Sequence, residues 1–442
     1  MSWAEVEFQE VDLGDQRRNR RLIQLVERLS QSPAASIREA CAGWSETQAA
    51  YRLLRGEGFD EQDLLEPHRQ CTQQRMADHR VVLCLQDTTE LDFNGRQTEG
   101  LGPLSYEAQR GMYVHPSLAV TPEREPLGVL DAWIWAREPK AEDGTRPGVK
   151  ESERWKEGYE RLAELAPALP ETRLVYVADR EADILALMRR AQQLGNPADW
   201  LLRAQHNRAL PQGGKLWEAT RETEPLGEIR FTLPAGRGRK ARQVQQQLYA
   251  RRVTLSERQG GEAVEATCVI AREVSAPDQG KPIEWRLLTN RAVETLEQAA
   301  ELIEWYRARW EIEMLFGVFK QACRVEALQL GQIERLERAL VLFLVISWRI
   351  DRLMRLGRNL PDLPAELLLE PEEWQAAYVL NKQSLPESPP RLNEAIRLIA
   401  RLGGFLGRKS DGEPGVKTLW QGLMRVMDFA EGFKQAKAQQ GS

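Results

Sequence analysis

The chain has 442 residues, of which 42% are hydrophobic and 29% charged, and its formal net charge is −5. This length predicts two to four domains with ample core, and because no apolar run approaches the ~20 residues that span a bilayer, we expect no membrane segment. Five scattered cysteines without a CxxC pair, and an acidic N-terminus without an apolar signal core, predict a cytoplasmic protein with reduced thiols and no zinc site.

Residues 1 to about 70 are predicted to form a helical module with a basic rim. In the segment VDLGDQRRNRRLIQLVERLSQ, apolar residues recur at helical spacing. The other side carries an arginine cluster made of Arg17, Arg18, Arg20 and Arg21. Such a cluster is either a solvated surface or a contact for an anionic polymer.

Two apolar strands are predicted to end at aspartates. VVLCLQDTTEL ends its apolar run at Asp87, and LVYVADREADI does so at Asp179. Strand signals at about 112–120, 126–137 and 200, with a polar helical stretch at about 147–166, predict a mixed sheet covered by helices, an α/β fold. Ligands bind at the carboxyl edge of strands in such sheets. A single aspartate at a strand end is usually only a helix cap, so neither residue identifies a site alone.

Residues 208–285 are predicted to form an antiparallel β insertion, because short alternating segments are separated by glycine-rich turns. The insertion carries the basic run RGRKARQVQQQLYARR, which has six basic residues and no acidic one. The run is either a solvated face or a path for an anionic polymer. Its first basic residues are Arg237, Arg239, Lys240 and Arg242. Trp285 ends the insertion on a strand, where core packing is the usual role of tryptophan.

The segment 304–325 is predicted to form one amphipathic helix. A hydroxyl, a guanidinium, a carboxylate and an ammonium fall within an arc of roughly 60° on it: Tyr306, Arg309, Glu313 and Lys320. The simple interpretation of such an arc is a solvated face. Gly317 lies in the same arc, and a mid-helix glycine costs about 1 kcal/mol relative to alanine. That cost is explained if another backbone, of protein or nucleic acid, approaches closely.

The remaining chain is predicted to be mostly helical. Residues 332–356 are almost wholly apolar around LERALVLFLVISWRI and should form a buried helix. A proline-rich acidic linker or lid follows, and then two helices joined by a glycine-rich turn. The apolar stripe of the last helix either docks on its own core or meets a second copy of the chain.

Asp87, Asp179 and Glu313 can converge if the 304–325 helix packs across the sheet. Mg²⁺ prefers oxygen ligands and is typically held by a few carboxylates with substrate phosphate oxygens. A pair of such ions can activate a water or a 3′-hydroxyl without a protein base. The other polar residues of the arc could donate hydrogen bonds to a phosphate backbone. The combination predicts phosphodiester chemistry on DNA or RNA.

The motif Y-x2-R-x3-E-x6-K from Tyr306 to Lys320 resembles the "YREK" signature of bacterial DDE transposases. QDTTEL and VADREAD resemble the other two acidic motifs of that family. LGDQRRNRRL, WRLLT and IARLGGF also resemble family segments, so the likeness extends almost from end to end.

This resemblance implies an RNase H-like catalytic core with a β insertion before the glutamate helix. It implies that Asp87, Asp179 and Glu313 bind two Mg²⁺ ions, for which Mn²⁺ would substitute. It also implies a dimer that synapses two transposon ends, cleaves them through a hairpin, and joins their 3′ ends to target DNA. The protein would be associated with the nucleoid when it acts. The implied modules are 1–70 for DNA binding, 71–370 for catalysis and 371–442 for dimerisation.

The resemblance also implies DNA contacts for individual residues. Trp285 would stack on a base flipped out during hairpin formation. The N-terminal arginines would bind transposon-end DNA, and the insertion's basic run would line the DNA path. Near the cleaved end, DNA would be gripped by Tyr306, Arg309, Lys320 and Arg203.

Two positions depart from the family pattern, since Gly317 replaces a lysine and Met112-Tyr113 replace paired tryptophans. Two other functions stay open. One is a domesticated nuclease that cuts DNA without inserting it. The other is a non-catalytic DNA-binding regulator derived from a transposase, which would not need all three carboxylates.

Overall fold

An eleven-stranded sheet runs through the computed structural model, which describes residues 2–233, 241–256, 262–274, 282–408 and 411–440. The strands are β1 Val81–Gln86, β2 Thr89–Asp92, β3 Gly102–Pro103, β4 Arg110–Val120, β5 Pro126–Trp135, β6 Arg173–Ala178, β7 Asp199–Arg203, β8 Gly227–Leu233, β9 Arg242–Leu255, β10 Val264–Glu273 and β11 Glu284–Thr289. β1, β6 and β7 are parallel neighbours, while β4 pairs antiparallel with β1 and β5. This mixed sheet, with helical parts at both ends of the chain, confirms the predicted α/β class and has the strand order of an RNase H-like core.

Fourteen α-helices lie within the described ranges. They are α1 Trp3–Glu7, α2 Gln16–Gln31, α3 Ile37–Ala40, α4 Trp44–Arg55, α5 Glu61–Ala77, α6 Glu151–Leu165, α7 Leu185–Gln193, α8 Leu216–Arg221, α9 Leu296–Ala308, α10 Trp310–Gly317, α11 Ile333–Asn359, α12 Pro371–Leu380, α13 Leu392–Leu402 and α14 Val416–Gln440. α5 runs across residue 70, so the N-terminal helices continue directly into the sheet. Every helix in these ranges is too short or too polar to span a bilayer.

The two faces of the sheet bury two separate apolar cores. Side chains alternate along β1, so Val82 and Cys84 join a cluster with Tyr159 of α6, whereas Leu83 and Leu85 join the cluster on the other face. The cluster that contains Leu83 and Leu85 also includes most of α11, whose central side chains are fully buried. Truncating one of them to alanine would cost about 2–5 kcal/mol. The predicted buried helix is therefore confirmed, and it supports the face on which α9 and α10 lie.

The β insertion extends the main sheet. β11 pairs antiparallel with β7, at Leu287 opposite Arg203, and β10, β9 and β8 follow outward. The predicted antiparallel insertion is confirmed, with one short helix, α8, inside it. The pairing matters because it places the end of β7 beside β11, which carries Trp285.

The predicted continuous helix over 304–325 is wrong in detail. α9 ends at Ala308, and the Arg309 amide donates to the Tyr306 carbonyl at 3.1 Å, a tighter i to i−3 bond. α10 then begins, and residues 318–322 form a π-helical turn that contains Lys320. The predicted apolar face is buried as expected, so the chain keeps its predicted course across the sheet. The turns at both ends of α10, however, rotate the polar residues relative to one another.

The terminal helix docks on its own chain. Leu423 and Val426 of α14 are buried, and a side chain at Gly422 would clash with the Ile399 carbonyl of α13. Glycine therefore permits the close approach of the two helices. The last helix therefore docks on the chain's own core, and a contact of its apolar stripe with a second copy of the chain stays a prediction.

Replacing Asp351 on α11 with leucine should stabilise the protein at alkaline pH. Asp351 is fully buried, and neither carboxylate oxygen has a hydrogen-bond partner among the described residues. Burial raises its pKa to about 7, with the Arg355 charge opposing the shift and the Glu311 charge adding to it. An unsatisfied buried polar group costs about 1–3 kcal/mol.

The sign of the effect follows from the raised pKa. A group whose pKa is higher in the folded than in the unfolded state contributes stability at low pH and loses it as pH rises through the folded value. As pH rises from about 4 to 7, the wild type should therefore lose free energy of unfolding because Asp351 must ionise, whereas Asp351→Leu should not. Thermal unfolding at pH 5.5 and 8 measures this difference, and a variant less stable than wild type at pH 8 would contradict it.

Candidate catalytic and DNA-binding site

Two aspartates follow adjacent parallel strands at one edge of the sheet. β1 and β6 are paired with Gln86 opposite Ala178, so Asp87 and Asp179 are the next residues on each strand. Adjacent strands are about 5 Å apart. The sequence prediction that these two carboxylates share the carboxyl edge of the sheet is thus met by the register.

α10 brings a third carboxylate to the same place. Glu313 lies four residues after Arg309, whose guanidinium forms an ion pair with Asp87 and lies 3.7 Å from a Glu313 oxygen. Arg309 is therefore a bridge between a strand end and the helix. The pairing of Arg309 with Asp87 was not predicted, because the sequence places the two residues 222 positions apart.

The electrostatics of this cluster favour an added cation. Burial raises the pKa of Asp87 to about 6; the Arg309 charge opposes this, and the charges of Asp179 and Glu313 add to it. Burial disfavours the charged form of Arg309, yet Asp87 and the other acidic groups raise its pKa. Three carboxylates against one guanidinium leave surplus negative charge in a partly buried site.

The donor chemistry fits a divalent metal. Carboxylate oxygens on three separate elements, with surplus negative charge, are what Mg²⁺ or Mn²⁺ prefers. Within the described part of the chain, no three His, Cys, Asp or Glu side chains stand close enough to hold one ion together. Arg309 bridges Asp87 to Glu313 in this arrangement. A metal would therefore take over the charge balance that Arg309 now provides.

Tyr306 differs from its predicted position. Its side chain is buried, at 6% exposure, where the sequence predicted an open polar arc. The reason is that α9 packs Tyr306 into the core before the chain turns at Arg309. The Arg203 guanidinium lies 6.0 Å from the centre of its ring, so these two residues, which the sequence analysis places near the same DNA end, are neighbours.

A basic cavity opens beside Arg203. It has a volume of about 330 Å³, and Arg180, Arg286 and Trp217 also line it, together with Glu284, which pairs with Arg286. Arg286 lies over the Trp217 ring at 3.8 Å from its centre. Sequence reasoning missed these three residues, since each is a single basic or aromatic residue on a different element.

Trp285 packs against a neighbouring aromatic ring and remains partly accessible. Its indole stacks on Phe231 of β8, with ring centres 5.7 Å apart and an interplanar angle of 18°. The side chain is only half-buried. Core packing therefore fixes the ring's orientation while part of it stays accessible to a ligand.

The predicted N-terminal DNA contacts differ in availability. Arg17 and Arg21 are exposed on α2. Arg18 instead donates to the carbonyls of Leu13 and Glu57, at 3.4 and 3.2 Å, and so holds the helical module together.

The basic run of the insertion is partly neutralised across the sheet. Arg242 forms an ion pair with Glu273 on the neighbouring strand β10. This acid is 31 residues away, so no local pattern could predict it. The other predicted contacts in the run, Arg237, Arg239 and Lys240, lie outside the described residues.

Gly317 has open space around it. A side chain there would meet no atom of the described chain within 4 Å. Among the described residues, no backbone therefore makes the close approach that the sequence suggested.

Three residues around Asp87 were not predicted. The His115 ring lies between the side chains of Thr88 and Gln86, at 2.8 and 3.1 Å. The Thr88 amide also donates to Asp87 Oδ1 at 2.8 Å. A single histidine in an apolar strand carries no local signal of this contact.

Comparisons with known proteins cover most of the chain. Residues 1–58 match the family described as "Transposase DNA-binding", residues 145–348 the "Transposase DDE domain", and residues 345–441 the "Transposase Tn5 dimerisation domain". Asp179 and Glu313 lie within the second match, whereas Asp87 lies outside all three.

A likeness was also found to a solved structure. This is the piggyBac transposase in a synaptic complex with hairpin DNA, with a TM-score of 0.35 and 8% sequence identity. The alignment covers 85% of this chain and 58% of that one, so the chain spans little more than half of that protein's length.

Proposed function

This chain belongs to the Tn5-like DDE transposases, and we propose from that membership that it excises a DNA element and inserts it elsewhere. It binds two transposon ends as a dimer, cleaves them through a hairpin intermediate, and joins the 3′ ends to target DNA. The observation that carries the proposal is that Asp87 and Asp179 follow adjacent parallel strands at one sheet edge, where Arg309 pairs with Asp87 and lies beside Glu313.

The three carboxylates have the task of holding divalent ions. When bound, Mg²⁺ or Mn²⁺ polarises the phosphodiester and activates the attacking water or 3′-hydroxyl. Arg309, once released from Asp87 and Glu313, donates to a phosphate oxygen. A guanidinium suits this task because its planar fork matches phosphate geometry.

Residues around the carboxylates position the DNA end. Arg203, which lies over Tyr306 and lines the basic cavity, attracts the backbone next to the cleaved phosphate. Lys320 contributes a second point charge from its π-helical turn. The half-buried Trp285 offers a stacking surface for an unpaired base.

The modules divide the remaining work. Residues 1–70 bind the transposon end through Arg17 and Arg21, with Arg18 supporting the module. Residues 71–370 carry out the chemistry, and DNA binding is also assigned to the insertion's basic residues Arg237, Arg239, Lys240 and Arg242. Residues 371–442 join two copies in the synaptic complex.

Incubating the protein with Mg²⁺ and duplexes that carry the element's own terminal repeats tests this function. We expect cleavage at the ends, a hairpin on the excised fragment, and joining to a supercoiled target plasmid. Cleavage without joining would identify a nuclease instead. Binding without cleavage would identify a DNA-binding regulator.

Replacing Trp285 with alanine should slow hairpin formation roughly 5- to 100-fold and leave the first nick nearly unchanged. Base–aromatic stacking is worth about 1–3 kcal/mol per base, and a base must leave the helix only for the hairpin step. Single-turnover gels separate the two products. Trp285→Phe is the matched control, because it keeps an aromatic face against Phe231. Equal loss of nicking and hairpin formation would contradict the stacking role.

A further inference from the structure

We propose that His115 is a positioning residue that fixes Asp87 through its two neighbours in the chain, Gln86 and Thr88. The proposal rests on the proposed function, in which Asp87 is a metal ligand. The imidazole is fully buried in β4, beside the strand that ends at Asp87. Its Nδ1 lies 2.8 Å from Thr88 Oγ1, and its Nε2 lies 3.1 Å from Gln86 Oε1.

The partners determine which ring nitrogen carries the proton. An amide oxygen only accepts hydrogen bonds, so Nε2 must be protonated to donate to Gln86. In the neutral ring Nδ1 is then an acceptor, and the Thr88 hydroxyl donates to it. Burial lowers the pKa of His115 to about 3, and the nearby Arg154 charge acts in the same direction, so the ring is neutral near pH 7.

Packing holds the ring and its amide partner in place. Trp155 and Trp133 pack against the imidazole in T-shaped contacts, at centroid distances of 4.5 and 5.6 Å and interplanar angles of 90° and 69°. Trp155 lies on α6, and on the same helix a side chain at Gly158 would clash with the Gln86 amide. Glycine at this position lets α6 press on Gln86 and limits its movement.

This arrangement assigns separate tasks to the two oxygens of Asp87. His115 holds the Thr88 hydroxyl, and the Thr88 backbone amide donates to Asp87 Oδ1 at 2.8 Å. Oδ2 is the oxygen that pairs with Arg309. The histidine therefore helps to keep Oδ1 occupied by the Thr88 amide and leaves Oδ2 facing Arg309. Such supporting contacts to a ligand typically change metal affinity 10- to 100-fold when removed.

Two measurements on DNA-free protein test the proposal. First, ¹⁵N imidazole shifts should show His115 as the neutral Nε2–H form at pH 7. Second, His115→Phe should bind Mn²⁺ about 10- to 100-fold more weakly by electron paramagnetic resonance, since phenylalanine fills the space between the tryptophans without hydrogen bonds. Thr88→Val should weaken Mn²⁺ binding similarly, and Thr88→Ser should restore it. His79→Phe, at a half-buried position away from this cluster, is the control and should bind as wild type.

The outcomes separate this inference from the proposed function. A protonated Nδ1, or wild-type Mn²⁺ affinity in both His115→Phe and Thr88→Val while Asp87→Asn loses binding, would overturn the role of His115 alone. If Asp87→Asn also bound Mn²⁺ like wild type, the proposed metal site itself would be wrong. If His115→Phe does not fold, the comparison of Thr88→Val with Thr88→Ser decides the matter.

Discussion

Replacing Glu313 with glutamine is expected to reduce metal-dependent cleavage of transposon-end DNA by at least about 10³-fold. The amide keeps the size of the side chain but removes one of the three negative charges that would hold the ions. Metal ions contribute several kcal/mol of charge stabilisation in the transition state, and each 1.36 kcal/mol corresponds to a tenfold change in rate. Asp87→Asn and Asp179→Asn should show losses of the same order.

Cleavage rates under single-turnover conditions, with DNA binding measured in parallel, check this expectation. Glu304→Gln is the control, because Glu304 lies on α9, is largely exposed and pairs with Arg307 rather than with the carboxylate cluster. The control should cleave at the wild-type rate, and all variants should retain end binding. A Glu313→Gln protein that cleaves within a factor of ten of wild type would exclude the carboxylate as a metal ligand. Chelation of divalent ions should abolish cleavage by every active variant.

The part of the site that could be predicted from sequence is the part set by local patterns. Apolar runs that end abruptly at Asp87 and Asp179 identify strand ends, and parallel strands place their ends at one edge. The spacing from Tyr306 to Lys320 identifies one helical region. These are short-range signals, and the structure keeps all three carboxylates on the elements that the sequence indicates.

The errors arise where tertiary packing overrides local spacing. A constant 3.6-residue period places Tyr306 and Lys320 on one exposed arc. The turn at Arg309 and the π-helical turn at residues 318–322 change the rotation on both sides of α10. Tyr306 is consequently buried, although its position seven residues before Glu313 would place both on one face of a regular helix.

Other features could not be predicted because they depend on residues far apart in the chain. The ion pair of Arg242 with Glu273 follows from the β9–β10 register. The contact of His115 with Thr88 follows from strand pairing and from the packing of α6, neither of which leaves a mark near residue 115. The stacking of Trp285 on Phe231 likewise depends on how far the insertion extends the sheet. Composition indicates that such residues exist, but only the fold pairs them.

Replacing Arg309 with glutamine is expected to change metal binding and DNA cleavage in opposite directions. In the DNA-free protein Arg309 bridges Asp87 and Glu313, so it competes with a cation for both carboxylates. Two unit charges 4 Å apart interact by about 4 kcal/mol at an effective dielectric constant of 20. The Arg309 charge repels a bound Mn²⁺ ion, and removing only a third of that energy would raise Mn²⁺ affinity about tenfold. Cleavage should nevertheless fall roughly 10- to 100-fold, because a charged hydrogen bond to phosphate is worth about 1.5–3 kcal/mol.

Arg309→Lys distinguishes charge from geometry in this comparison. Lysine keeps the positive charge but cannot bridge two carboxylates with a planar fork, so its Mn²⁺ affinity should lie between those of wild type and Arg309→Gln. Titration of each DNA-free protein with Mn²⁺, beside single-turnover cleavage of the same preparations, gives the two values for every variant. Tighter Mn²⁺ binding together with slower cleavage is the expected pair for Arg309→Gln. Unchanged or weaker Mn²⁺ binding would mean that Arg309 supports the metal site, and the exchange of guanidinium for metal would then be wrong.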